Sequence, residues 1–365
     1  MVVKKIIRNS GESLGLRIIF VPLQQLFDSP KGLGRDQSRD SKHSINIMKR
    51  VFVLMAVVAL CLAACAQSKD GDKSFDDKKP RNGNGMMVNK DTDSVYAALK
   101  NESFDKFEQF IYEDAETGKT MQYNLFVPDA YDGKQSYPLV LFMADASTVG
   151  KDVTTPLTQG YGALEFASKL DQQMHSSFVL VPQYTEWTVG EGEVKSDEVE
   201  MTIRMLQSVM ENYNVDRSRV YTTGQSMGGM MSFHFNIEHP DLFAASLFVS
   251  CQWDTTLMHS LGQKKFFYVV AGGDERASEG MRNLTKLFEN QGIEIHSATW
   301  SAKLPQTEQD SLAQALINEG GNINFIVWEK GTVLPESGQG MEHMASFDYA
   351  YKLAPVRDWL FKQSK

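Results

Sequence analysis

Gly224-Gln225-Ser226-Met227-Gly228-Gly229 lies between the apolar run Val220-Tyr221-Thr222-Thr223 and a helical stretch, Met230 to His239, that Pro240 stops. No other feature restricts the fold of this chain so tightly. A strand that passes into a helix through so short a turn holds its serine in strained backbone and exposes the hydroxyl above the sheet. Side chains at 224 and 228 would collide with the adjoining strand and helix, so glycine is required there. The helix N-terminus contributes partial positive charge, and the Met227 N–H can point at a developing oxyanion. The pattern is that of a nucleophile elbow.

The surrounding chain agrees with a strand-turn-helix unit repeated many times. From Phe104 onward strand and helix signals alternate, which implies an α/β fold with a mostly parallel central sheet flanked by helices. Met121–Val127 alternates inward and outward residues, and Pro138–Met143 is a continuous apolar run suited to a buried strand. Phe178–Val181, Val220–Thr223, Ala245–Val249, Phe266–Val270 and Phe325–Trp328 are further strand candidates. Val199, Ile203, Leu206, Met210 and Tyr213 recur at helical spacing, a stripe that faces a core. No repeat and no linker divides the stretch 104–365, which reads as one domain.

A serine at its free pKa is a weak nucleophile and needs a base, which in turn needs an orienting acid. After an elbow of this kind the chain order is serine, acid, histidine. Of the six histidines beyond residue 65, His175 precedes the serine, His234 and His239 sit on the elbow helix, His259 precedes the expected acid, and His296 falls in the alternating run Ile293–His296. His343 remains, in the polar loop Ser337-Gly338-Gln339-Gly340-Met341-Glu342-His343 after the last strand. The acid is expected just after the strand Phe266–Val270, where Ala271-Gly272-Gly273-Asp274-Glu275 offers adjacent carboxylates. Asp274 is the first choice and Glu275 the alternative. His234 and His239, five apart on a helix, do not form a metal pair, and no metal or organic cofactor is expected.

The N-terminal part reads as targeting. Met48-Lys49-Arg50 precedes fourteen uncharged residues, Val51 to Ala64, and then Cys65. Fourteen helical residues rise only about 21 Å against about 30 Å of bilayer hydrocarbon, which argues for an export signal rather than a permanent span. Leu62-Ala63-Ala64-Cys65 resembles a bacterial lipobox, with Cys65 the acylated first residue of the processed chain. The expected organisation is an upstream extension 1–47, a lipoprotein signal 48–64, a flexible tether 65–103 and the α/β domain 104–365. The first 64 residues hold 10 of the 37 Lys and Arg and 4 of the 46 Asp and Glu, so a chain starting at Cys65 carries 27 basic and 42 acidic groups, about −15. That excess argues against nucleic acid as a partner. Cys61 leaves with the signal and Cys251 stands alone, so no internal disulfide is expected.

These motifs resemble those of the α/β-hydrolase superfamily, and within it the secreted esterases grouped with polyhydroxybutyrate depolymerases, feruloyl and acetylxylan esterases and prolyl-oligopeptidase-type peptidases. The likeness runs from about Phe104 to the C-terminus. It rests on Tyr123-Asn124-Leu125-Phe126-Val127-Pro128, Tyr137-Pro138-Leu139-Val140-Leu141-Phe142, Val181-Pro182-Gln183 and Asp216-Arg217-Ser218-Arg219-Val220-Tyr221, with His239-Pro240-Asp241-Leu242-Phe243-Ala244-Ala245 and Arg357-Asp358-Trp359-Leu360-Phe361 after the elbow. The resemblance implies a serine hydrolase with Ser226 as nucleophile, His343 as base and Asp274 as orienting acid. Relatives usually carry His-Gly after the third strand, where a backbone N–H completes the oxyanion hole. Here those positions read Ala144-Asp145, so the second donor is expected at Asp145 or Ala146, Ala146 being preferred, and the Asp145 carboxylate must be turned away or paired.

Trp187 and Trp253 each follow a predicted strand on the active-site edge, as stacking surfaces for a sugar or aromatic acyl group or as packing anchors. The expected substrates are small-molecule or glycan esters, with the membrane reached through the lipid anchor. A serine peptidase and a non-catalytic binding lipoprotein on the same scaffold are the competing readings.

Overall fold

A computed structural model describes residues 4–6, 90 and 92–365, and one ten-stranded sheet organises their backbone. The signal 48–64, Cys65 and the tether up to residue 89 lie outside the described residues. In chain order the strands are β1 (Lys4–Ile6), β2 (Glu108–Glu113), β3 (Thr120–Phe126), β4 (Tyr137–Met143), β5 (Phe178–Gln183), the separate hairpin strands β6 (Val189–Gly190) and β7 (Glu193–Val194), β8 (Val215–Gln225), β9 (Ala245–Val249), β10 (Phe266–Ala271), β11 (His296–Trp300) and β12 (Ile323–Trp328). The sheet order is β1-β2-β3-β5-β4-β8-β9-β10-β12-β11. Strands from β5 through β11 in that order run parallel, while β1, β2 and β3 pair antiparallel at one edge.

The helices are α1 (Ser94–Ser103), α2 (Thr155–Thr158), α3 (Gly162–Phe166), α4 (Lys169–Met174), α5 (Glu198–Asn212), α6 (Met227–Glu238), α7 (Glu275–Asn290), α8 (Gln306–Asn318), α9 (Glu342–Lys352) and α10 (Ala354–Phe361). They cover both faces, and the period-2 alternation of the central strands assigns the side chains to each. Leu139, Leu141 and Met143 of β4, with Phe266, Tyr268 and Val270 of β10, join the core beneath α5, α6 and α7. Val140 and Phe142, with Phe267, Val269 and Ala271, join the opposite core beneath α3, α8, α9 and α10. Burial on both faces explains why these strands read as unbroken apolar runs. Pro138, which has no N–H to give the ladder, lies where the β4–β8 register shifts between Tyr137 and Leu139.

One boundary differs from expectation. Ser94–Ser103, within the expected flexible tether 65–103, forms α1, with Asp93 accepting the Tyr96 N–H at 2.9 Å and Tyr96 and Leu99 buried against the body. Its apolar positions are too few for a strong stripe in sequence, and Tyr161, whose ring lies 5.6 Å from that of Tyr96, supplies the partner. Lys4–Ile6, within the expected upstream extension 1–47, pairs antiparallel with β2 as the outermost strand.

Register places the site. Met143 is level with Gly224, Gln225 with Val249, and Ala271 with Trp328, so the parallel strands end together along one edge. The loops leaving those ends carry residues 144–147, Ser226, Asp274 and His343, in the crevice where open α/β sheets hold ligands.

Candidate active site

Ser226 sits between β8 and α6 at φ 52°, ψ −116°, a left-handed conformation costly for any residue with a Cβ. Its N–H donates to the Val249 carbonyl at 3.0 Å and its carbonyl accepts the Met230 N–H at 2.9 Å, so the turn is fastened to β9 and to the helix it opens. A Cβ on Gly224 would lie 2.4 Å from the Gly228 carbonyl carbon, and one on Gly228 would lie 2.1 Å from the Met143 carbonyl oxygen. Strand, turn and helix thus approach too closely for any side chain at either position. The helix begins at Met227, directly after the serine, rather than at Met230.

His343, the second residue of α9, bridges serine and acid. Its Nε2 is 2.9 Å from Ser226 Oγ and its Nδ1 is 2.6 Å from Asp274 Oδ2. The other Asp274 oxygen accepts the Ala277 N–H at 3.3 Å, so the carboxylate also caps α7. Asp274 is 6% exposed, whereas Glu275 begins the helix on its outer side, exposed to solvent. The structure therefore brings Asp274, not Glu275, to the imidazole. Burial, and after it the Asp274 charge, pushes the Cys251 thiol well above its usual range, leaving it protonated and inert.

Glu342 has a role that the sequence did not signal. Its carboxylate accepts the Gly273 N–H at 3.0 Å and the Gly331 N–H at 2.8 Å, tying the turn that carries the acid to the loop that precedes the base. Its partners are backbone amides far away in the chain, so no local pattern marks it. Ser250, at the end of β9, is likewise left-handed at φ 43°, and its Oγ meets Ser346 Oγ at 2.5 Å. Ser346 Oγ in turn donates to the His343 carbonyl at 2.9 Å.

Met227 and Ala146 line the same cleft as Ser226. Met227 N–H, at the first position of α6, and Ala146 N–H have no acceptor among the described residues. Asp145 N–H is taken by Gln159 Oε1 at 3.2 Å, and the Asp145 carboxylate accepts the Ser147 N–H at 2.7 Å. Of the two amides open in the sequence, only that of Ala146 is left for a ligand.

The cleft encloses about 560 Å³. Its lining sets the apolar Met227, Met230, Met344 and Val189 beside the charged Glu191, Lys195 and Arg276. Trp187, 60% exposed, stands at its mouth. Trp253 does not line it: at 5% exposure it packs in the core beside His234, ring centroids 5.9 Å apart, and its assignment to substrate binding is corrected to that of a packing anchor. The β6–β7 hairpin reaches over the cleft, where Glu191 pairs with Arg276 and accepts from Gln252 Nε2 at 2.7 Å. The remaining histidines lie elsewhere, His175 stacked on Phe361 and His296 paired with Glu319. Among the described residues no group of His, Cys, Asp and Glu is placed to hold a metal ion.

The Esterase family, described as "Putative esterase", matches residues 115–316, more than half of the chain and inclusive of Ser226 and Asp274. A solved thermostable esterase is similar at 26% identity with a TM-score of 0.58, over 72% of this chain and 64% of that one; this chain thus spans just under two thirds of its length. A ferulic acid esterase aligns at 11% identity over 70% of this chain and 99% of its own, TM-score 0.47. A mutant feruloyl esterase module from Clostridium thermocellum, complexed with sinapinate, aligns at 14% over 68% and 86%, TM-score 0.45. No curated protein matches the chain.

Proposed function

The chain belongs to the Esterase family, and from that premise we propose that it hydrolyses carboxylic esters through a serine acyl-enzyme. The observation that carries the reading is the continuous line Ser226 Oγ, His343, Asp274, closed at 2.9 and 2.6 Å from three distant parts of the chain. Ser226 Oγ attacks the acyl carbon as His343 Nε2 takes its proton, and Asp274 holds the Nδ1 proton and the charge that develops on the ring. The tetrahedral oxyanion is held by the N–H groups of Met227 and Ala146. Collapse of the adduct expels the alcohol with a proton returned by His343. Water then attacks the acyl-enzyme by the same route and releases the acid.

The substrates of this reading are small or carbohydrate-linked esters. An open cleft with a methionine wall accepts an acyl group of varied shape, and the exposed Trp187 at the mouth offers a stacking face for a sugar or an aromatic ring. The enzyme works outside the bacterial cytoplasm, held to the envelope by lipid on Cys65; the basic residues, apolar run and Ala-Ala-Cys sequence of 48–65 support this.

A panel of acetyl, butyryl and feruloyl esters assayed beside short peptides tests the chemistry. Ester turnover with fluorophosphonate labelling of the wild type, both abolished in Ser226→Ala, is expected. Peptide cleavage without ester turnover would assign a peptidase, and an unlabelled, inactive wild type would leave a binding protein. For the anchor, labelled palmitate should enter the full-length chain expressed in a bacterial host and not Cys65→Ala.

A further inference from the structure

We propose that Gln159 is a positioning residue of the oxyanion hole: it locks the turn 145–147 so that the Ala146 amide alone faces the cleft, and it links that turn to the nucleophile elbow. The proposal rests on the ester-hydrolase reading above and concerns how the second donor is held.

Gln159 lies in the segment between α2 and α3, 5% exposed, and its amide is used completely. The carbonyl oxygen accepts from Asp145 N–H at 3.2 Å and from Gln225 Nε2 at 2.5 Å. The amide nitrogen donates to Asp145 Oδ1 and, at 2.8 Å, to Ser147 Oγ. A primary amide has two acceptor sites and two donor protons, and all four are matched here. The orientation follows from the partners, since the reversed amide would set NH₂ against a backbone N–H and oxygen against a carboxylate.

Asp145 is thereby pinned from every side. Its N–H and carboxylate engage Gln159, its carboxylate also accepts Ser147 N–H at 2.7 Å, and its carbonyl accepts Thr148 Oγ1 at 2.9 Å. The peptide that follows Asp145, at φ −77°, ψ 172°, carries the Ala146 N–H, and its carbonyl is the one that accepts Thr148 Oγ1. Of the amides at 145, 146 and 147, that of Asp145 is taken by Gln159 and that of Ser147 by the Asp145 carboxylate, which leaves the one of Ala146. Gln225 completes the link, being the residue before Ser226 and itself 2% exposed. The donor on α6 and the donor after β4 are thus set relative to each other by one buried side chain. The same contacts keep the Asp145 carboxylate engaged within the turn, which makes an acid tolerable beside the oxyanion.

Preorganised donors act only if they are in place before charge develops, and removing one costs about 10²–10³ in kcat. Gln159→Leu keeps the bulk and removes every hydrogen bond. Expected for the folded variant are a kcat lower by about 10–100-fold, KM within about threefold, and a parallel loss of affinity for an aryl trifluoromethyl ketone, whose hemiketal oxyanion occupies the hole. A purely structural residue would shift the melting temperature without this split. A folded Gln159→Leu protein with unchanged kcat and unchanged ketone affinity overturns the proposal. If that variant does not fold, Asp145→Ala and Asp145→Asn decide, because asparagine retains an oxygen to accept from Ser147 N–H and Gln159. Recovery of kcat by about tenfold or more in Asn over Ala supports the proposal, and equal loss in both overturns it. A wild type with neither ester turnover nor fluorophosphonate labelling fails at the level of the esterase reading instead, and is recognised before any variant is made.

Discussion

At Asp274 and Glu275 two neighbouring carboxylates have different fates, and the reason is a single step of backbone. Asp274 is the N-cap of α7 with φ −79°, ψ 89°, so one oxygen caps the helix while the other reaches His343. Glu275 is already helical and faces solvent. Asp274→Asn should lower kcat by about 10³–10⁴-fold with little change in KM, since an amide cannot hold the protonated imidazole. Glu275→Gln should stay within about threefold of wild type; steady-state kinetics on one activated ester measures both. If Glu275→Gln proved the more damaging, the assignment of the acid would be wrong. Ser226 was legible because its signature is local: the glycines, the strand before and the helix after are contiguous. Gln159 and Glu342 were not legible, because each works on backbone amides brought near it only by folding.

The turn between β2 and β3 shows how an element far from the site is secured. Asp114 is buried there, and the Arg204 guanidinium on α5 grips it through Nε at 2.7 Å and Nη2 at 2.9 Å. Thr117 adds its N–H at 3.0 Å and its hydroxyl at 2.6 Å. Chiefly the Arg204 hydrogen bonds, opposed by burial, hold the Asp114 carboxyl well below the usual carboxylate range. A carboxyl with a lowered folded pKa stabilises the fold above its unfolded value, about 3.9, and that stabilisation is lost as pH falls through the folded value. Arg204→Ala should therefore cost about 2–3 kcal/mol in urea unfolding at pH 7, with Thr117 still serving the carboxylate. The difference from wild type should shrink on acidification below about pH 4. A difference that grew on acidification would assign the pair the wrong sign. β2 itself carries no clear sequence signature, because its buried residues are only Phe110 and Tyr112, set between half-buried Gln109 and Ile111 and exposed Glu108 and Glu113.

For the whole molecule, the folded body begins before residue 104. α1 lays Tyr96 and Leu99 on the core beneath α3 and α9, and Lys90 pairs with Asp348. Burying side chains of this size gains about 1.5–3 kcal/mol each. At about 2–4 °C per kcal/mol for a domain of this size, a chain starting at Phe104, which loses that burial, should melt about 2 °C or more below one starting at Asn89. Equal melting temperatures would return α1 to the tether.

The sequence by itself determined the class of architecture and the position of the elbow serine. Both are written in short-range terms: period-2 burial selects strands, and the steric demands of one turn select glycine at 224 and 228. Only the tertiary structure decided which carboxylate meets His343, which amide after β4 is left without an acceptor among the described residues, and that Trp253 is interior while Trp187 stands at the cleft mouth. Those choices depend on the parallel strands ending level, which sets side chains from remote segments within hydrogen-bond reach; distance along the chain carries no record of that alignment.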